Sequence, residues 1–153
     1  MPDSERRGSL ATPYSLIYES ALGRFSDYDF LPIADFQREA ILLGHLRRAR
    51  SDFINICKQD LSKYDDVREE FTEDLDQEVI EILALGVAYH WLSSKVLNSE
   101  LFRNVLNTKD FSFFSPGSLL NNLRLLRSEV RNEYKGRLIA YSYDHGDIAS
   151  LKV

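Results

Sequence analysis

Apolar residues recur at spacings of three and four along much of the chain, which is the period of an amphipathic α-helix. Between residues 33 and 58 they step by 4, 3, 4 and 3 and therefore share one face. Pro32 precedes this run, and proline is favoured where a helix begins. We predict a long helix over residues 33–58. Its core face consists of Leu42, Leu46, Ala49, Phe53 and Ile56.

The segment from residue 77 to 97 is apolar on almost every side, which is typical of a central, buried helix. Asp76 is a suitable N-cap for it. Asn98 and Ser99 interrupt the apolar run, so the pattern predicts that this helix ends there. A separate short helix is predicted over residues 100–106.

Two further helix starts contain proline. Ser115-Pro116 is an N-cap followed by proline at the first helical position, and it predicts a helix that continues to about Tyr143. Thr12-Pro13 predicts a short first helix that ends near Gly23. The core stripe of the last helix consists of Leu119, Leu123, Leu126, Val130, Tyr134 and Tyr141.

Residues 60–78 change character and carry nine carboxylates, with apolar spacing sufficient only for a loose or short helix. The predicted fold class is therefore all-α, a helical bundle of three long helices plus short helices. Residues 1–12 are expected to form a flexible arm and residues 13–146 the bundle domain. Residues 147–153 are expected to form an extended C-terminal tail.

Composition is consistent with one soluble globular domain. The chain has 153 residues, 44% hydrophobic and 28% charged. A net charge of −5 argues against non-specific nucleic-acid binding by the whole surface. Cys57 is the only cysteine, so an intrachain disulfide is impossible and a reducing compartment is expected. The apolar segment 79–97 contains charged residues and lacks the roughly 20 apolar residues of a membrane span, so we expect no membrane association.

The sequence predicts no catalytic, cofactor or metal site. The three histidines do not share a helical turn, and no HExxH, CxxC or phosphate-binding glycine motif occurs. His90 adjoins Trp91 in the most apolar helix, where a core or interface histidine is more common than a ligand. We therefore expect a protein that is not an enzyme and holds no cofactor. An enzyme with a carboxylate-bound metal is the weakest alternative.

A charge pattern remains to be explained. Four basic residues step by 3, 4 and 4 along the last helix and form one stripe, about 100° round the helix from its core face. Solvated helix faces would account for them. Alternatively, this basic stripe pairs with the acidic segment of a neighbouring copy, and such head-to-tail contacts form a ring when the rotation closes. The subunit-interface candidates are Arg124, Arg127, Arg131, Lys135, Asp65, Asp66, Glu69, Glu70 and Glu73.

Residues 14 to 143 resemble the small helical head–tail connector (adaptor) proteins of tailed bacteriophages. The resemblance rests on the buried helix ending in Trp91-Leu92, the turn NTKDF at 107–111 and the Ser115-Pro116 helix start. A last helix that closes on Tyr141-Ser142-Tyr143 completes it. The acidic segment that precedes the buried helix is also typical of that family.

The resemblance implies a structural virion protein at the head–tail junction, made in the host cytoplasm. It implies a ring under the portal, usually twelvefold, that extends the DNA channel without reading the DNA sequence. The implied partners are further copies of the chain, the portal protein and the next neck or tail protein. It makes the tail a candidate portal-docking segment, with Ile148, Leu151 and Val153 as anchors.

The alternative function is a non-enzymatic helical module that regulates a protein partner. Aromatic residues are concentrated in the connecting segments and could serve either as core or as interface anchors. Oligomerisation discriminates the two functions, because a connector forms rings and a regulator does not.

Overall fold

The computed structural model describes residues 11–25, 35–106 and 116–146. This part of the chain is mostly helical, as predicted. Its α-helices are α1 (Tyr14–Leu22), α2 (Asp35–Phe53), α3 (Gln77–Leu106) and α4 (Pro116–His145). The arm up to residue 10 and the tail with Ile148, Leu151 and Val153 lie outside the described residues.

Helix α3 forms the centre of the core, and α1, α2 and α4 each pack against it. Its apolar residues are buried on nearly all sides, as its composition predicts. The window Gln77–Asn98 is long and apolar enough to cross a membrane, but 61% of it is buried inside the protein. The packing of three helices around this window accounts for its apolar composition.

Two predicted helix ends are wrong. Helix α3 continues through Asn98 and Ser99 to residue 106, because these residues cost a helix only tenths of a kcal/mol. Helix α2 ends at Phe53 rather than at residue 58, and turn hydrogen bonds follow it. Ile56 therefore lies outside the helix and is exposed instead of belonging to the core face.

The all-α prediction missed a small antiparallel sheet of three strands in the order β1-β3-β2. The strands are β1 (Thr12–Pro13), β2 (Tyr64–Asp65) and β3 (Glu70–Phe71). Phe71 pairs with both Thr12 and Tyr64 and is fully buried. The loose helix predicted within residues 60–78 is therefore wrong. Two-residue strands are too short to show the alternation by which a strand is recognised in a sequence.

The first helix begins one residue later than Thr12-Pro13 predicts. Pro13 has extended backbone angles (φ −63°, ψ 141°) and occupies the N-cap position, while its own strand pairs with β3. The Tyr14 amide donates to the Glu69 carbonyl at 2.8 Å. Thr12, assigned to the end of the flexible arm, is buried and belongs to the folded domain.

Candidate interaction surfaces

The basic stripe predicted on the last helix lies on the surface of α4. Arg124, Arg131 and Lys135 are exposed and Arg127 is half-buried. The core side of the same helix contains Leu123, Val130, Tyr134 and Tyr141, all buried. Among the described residues, Arg131 and Lys135 form neither a hydrogen bond nor an ion pair. Their charges are therefore available to a partner.

The outward face of α4 also contains exposed apolar side chains. Leu125 is 65% exposed, Ile139 58% and Tyr143 79%. Leu125 and Tyr143 are five helical turns apart and so point in the same direction, with Ile139 close to that line. The basic residues flank this apolar line on one side. Isolated exposed apolar residues are common, but three aligned on one helix form a candidate contact face.

The five carboxylates predicted at the subunit interface divide into two groups. Three of them stabilise the fold of this segment. Asp66 accepts hydrogen bonds from the Tyr14 hydroxyl (2.8 Å) and from Arg47 (2.9 Å). Glu73 accepts from Lys63 at 3.3 Å, and Asp65 accepts from the amides of residues 67 and 68. Partial burial opposes ionisation of Asp66, but the hydrogen bonds from Arg47 and Tyr14 prevail and lower its pKa.

The second group consists of Glu69 and Glu70, which lie at the turn into β3. Glu69 is exposed and has a left-handed backbone (φ 55°), a conformation that lets the chain reverse between β2 and β3. Neither carboxylate forms a hydrogen bond or ion pair with the described residues. The sequence grouped all five carboxylates together. The two partners of Asp66 lie 19 and 52 residues away and leave no local pattern.

A hydrogen-bonded junction joins the three longest helices. Asp52 of α2 accepts from the Tyr134 hydroxyl of α4 at 3.0 Å and lies 2.7 Å from His90 of α3. Burial, followed by the charge of Asp52, raises the pKa of Tyr134, so this phenol stays protonated and donates. Because all three side chains link helices, we assign this junction to stability.

Tyr141 forms a second junction near the end of α4. Its hydroxyl oxygen accepts from the Lys58 amide at 3.1 Å and lies 3.8 Å from the Cys57 thiol. Burial raises the pKa of the Cys57 thiol, which favours the unreactive protonated form. His145 lies 3.1 Å from Glu78 and stacks on Tyr141. In the described part of the chain, no group of three or more metal-ligating side chains occurs.

A pocket of about 170 Å³ opens between α2 and α3. His45 and Trp91 are its buried residues, and Arg38, Lys95 and Ile41 are more exposed. The His45 Nε2 atom is buried without a hydrogen-bond partner. Burial lowers the pKa of His45 to about 4, assisted by His90 and Arg48, so the imidazole is neutral at pH 7. No pattern in the sequence predicts this pocket, because its residues come from two helices.

Comparisons with protein-family models, with curated proteins and with solved structures find no significant match to this chain.

Proposed function

We propose that this chain is a structural virion protein, a head–tail connector of a tailed bacteriophage. In this proposal the subunit is a bundle of the three long helices, and copies of it form a ring under the portal. The ring extends the DNA channel and joins the capsid to the neck or tail. The resemblance of residues 14–143 to that family motivates the proposal.

One structural observation carries the proposal. Each subunit has exposed basic groups on α4, Arg131 and Lys135. At the β2–β3 turn it has two acidic groups, the exposed Glu69 and the half-buried Glu70, and none of the four is paired with a described residue. Two separate patches of opposite sign on one subunit favour a head-to-tail contact, which generates a ring when the rotation closes. A neighbouring copy is therefore a partner of suitable chemistry.

The proposed contact uses a narrower set of residues than the sequence suggested. Asp65, Asp66 and Glu73 already bind groups of their own subunit, so their exchange for other residues would perturb the fold. Arg127 is half-buried and carries the same risk. Glu70 is half-buried like Arg127, so the exposed residues Arg131, Lys135 and Glu69 are the better positions for a test.

In this proposal, DNA that passes through the ring does not bind tightly to the protein. A net charge of −5 disfavours tight phosphate binding, which suits a channel through which DNA must slide. The alternative, a helical module that binds a regulatory protein partner, is favoured by the exposed apolar line of α4. A ring excludes that alternative, and a monomer supports it.

The first experiment measures the mass of the purified full chain by light scattering over a salt series. We expect large oligomers at low salt that dissociate as salt rises, because exposed ion pairs are screened within a Debye length of about 10 Å at 0.1 M salt. Negative-stain images should then show rings. A monomer at every salt concentration would contradict assembly through self-complementary charges.

A charge-reversal experiment tests whether the basic residues of α4 pair with the acidic β2–β3 turn of a neighbouring copy. The double variant Arg131→Glu/Lys135→Glu should lower the oligomer mass while the helical spectrum is unchanged. Adding Glu69→Lys should restore assembly in part, because the exposed charges on both sides of the contact then have the opposite polarity. The control Arg48→Glu/Lys58→Glu changes net charge equally at exposed positions elsewhere. Equal loss in the control, or no rescue, would exclude this pairing.

A further inference from the structure

Val67 is an apolar side chain that projects from the β2–β3 turn. It is 94% exposed, more than any other large apolar side chain that the structure describes. Glycine, asparagine, aspartate and serine are the usual residues of turns, whereas a β-branched valine is unusual there. A single exposed valine needs no partner of its own. Its surroundings, and the surface of α4, indicate one.

The turn constrains the position of Val67. The Asp65 carboxylate accepts hydrogen bonds from the amides of Val67 (2.9 Å) and Arg68 (3.1 Å). At the other side of the turn, the Glu69 carbonyl accepts from the Tyr14 amide at 2.8 Å. Because the backbone is already ordered, binding through Val67 costs little conformational entropy.

A surface of matching chemistry lies on α4. Arg131, Lys135, Ile139 and Tyr143 follow one another at intervals of four residues and therefore form one ridge, which we call the α4 ridge. Its first two residues are exposed cations. The last two are apolar, with Ile139 58% and Tyr143 79% exposed. The ridge thus has a cationic end beside an apolar end.

The β2–β3 turn has an anionic and an apolar residue at a similar spacing. The exposed Glu69 follows Val67 by two residues, a separation of at most about 7 Å. Successive residues of a helix ridge have Cβ atoms about 5–6 Å apart. A contact between Val67 and Ile139 therefore brings Glu69 within reach of Lys135. Arg68 lies between the two turn residues, but it forms an ion pair within the turn.

Charge complementarity identifies a second copy of the chain as the occupant of the α4 ridge. The cations of the ridge require an acidic partner, and its apolar end requires an apolar one. The β2–β3 turn supplies both within three residues. Because the turn and the ridge are different surfaces, one copy can use both at once in a head-to-tail contact.

We propose that the β2–β3 turn of one copy docks on the α4 ridge of the next. Val67 packs against Ile139 and Tyr143, and Glu69 pairs with Lys135. This inference rests on the proposed function, to which it adds an apolar anchor and the residues that meet. Burial of a valine side chain stabilises a contact more than an exposed ion pair does, so Val67 dominates the affinity.

The test isolates a single contact by blocking one surface on each of two partners. The turn-blocked variant Val67→Ser/Glu69→Asn lacks the anchor and its charge, and asparagine tolerates the left-handed backbone at this position. The ridge-blocked variant Lys135→Glu/Ile139→Glu repels Glu69. Circular dichroism verifies that both variants are folded. In sedimentation velocity each should be a monomer alone, and an equimolar mixture should form a dimer, because one intact turn then meets one intact ridge.

A further substitution in the ridge-blocked partner assigns the anchor. Val67→Ser alone should weaken the mixed dimer about tenfold, because the burial of one valine side chain is lost. Leu16→Ser is the matched control, an exposed apolar position on α1 that should leave the affinity unchanged. Equal affinities of the two serine variants would overturn the role of Val67.

The outcomes distinguish this inference from the proposed ring. If the mixture stays monomeric while the unmodified chain forms oligomers, the docking of the turn on the ridge is overturned and the ring proposal stands. Oligomers formed by either blocked variant alone would likewise place the contact elsewhere. If the unmodified chain and the mixture are both monomeric, both proposals are overturned. A mixed dimer from a chain that forms no rings would support the docking and contradict the ring.

Discussion

Gly86 shows how a single residue sets the distance between helices. It lies in α3 where both α2 and α4 approach closely. A Cβ atom added there would lie 2.5 Å from the Ala49 Cβ and 2.9 Å from the Tyr134 hydroxyl. Tyr134 is the residue that donates to Asp52, so the absence of a side chain at Gly86 permits the junction of the three longest helices.

Gly86→Ala should destabilise the protein by about 1–3 kcal/mol, because an extra methyl group in a packed core forces its neighbours apart. Urea denaturation measures the change in the free energy of unfolding. Gly44→Ala is the matched control, since its Cβ would meet nothing within 4 Å on α2. There alanine should stabilise the helix by about 0.5–1 kcal/mol. Equal effects at the two positions would contradict the close-packing explanation.

Among the elements, the helices could be predicted and the sheet could not. Leu42, Leu46 and Phe53 recur with the period of a helix, so the core face of α2 could be predicted from their spacing. Strands β2 and β3 have two residues each. They pair with each other, and β3 also pairs with β1, more than 50 residues away. The end of α2 depends on tertiary packing as well, because Ile56 continues the apolar spacing after the helix has stopped.

The candidate surfaces, too, could be predicted only where their residues belong to a single element. The basic stripe could be predicted because its residues belong to one helix with a regular spacing. The pairing of Asp66 with Tyr14 and Arg47 could not, since three elements meet at that carboxylate. The pocket beside Trp91 was missed for the same reason, because α2 and α3 each supply part of it.

Thr12 connects the small sheet to the start of α3. Its hydroxyl donates to the Glu73 carbonyl at 2.8 Å and accepts from the Leu75 amide at 2.8 Å. Thr12→Val keeps the shape but leaves these two backbone groups without partners, so we expect a loss of about 2–3 kcal/mol. Thr12→Ser should retain most of the stability because the hydroxyl remains.

The measurement for Thr12 combines urea denaturation with hydrogen exchange of the Leu75 amide, which should exchange faster in the valine variant alone. Thr72→Val is a control at an exposed position, where the hydroxyl lies 3.3 Å from the Lys63 carbonyl. If the two valine variants are equally stable, the hydroxyl of Thr12 does not hold the sheet to α3.

At the scale of the whole molecule, the face of α4 that stabilises the fold is distinct from the face to which the proposed subunit contact is assigned. The inward face contains Tyr134 and Tyr141, which link α4 to α2 and to the segment after it. The outward face contains the exposed apolar line and the basic stripe. If the proposed assembly occurs, substitutions on the outward face should therefore change it while the subunit stays folded.

The double variant Leu125→Ser/Tyr143→Ser tests whether the outward face of α4 contributes to assembly and not to the stability of the fold. Both side chains are largely exposed, so the free energy of unfolding should change by less than about 0.5 kcal/mol per site. If the outward face of α4 lies in a subunit contact, the oligomer mass measured by light scattering should fall at every salt concentration, because apolar contacts are not screened by salt. Leu16→Ser, at a 47% exposed apolar position on α1, should leave the mass unchanged. If high salt dissociates the oligomer and the serine variants have no further effect on its mass, the contact consists of the charged residues alone.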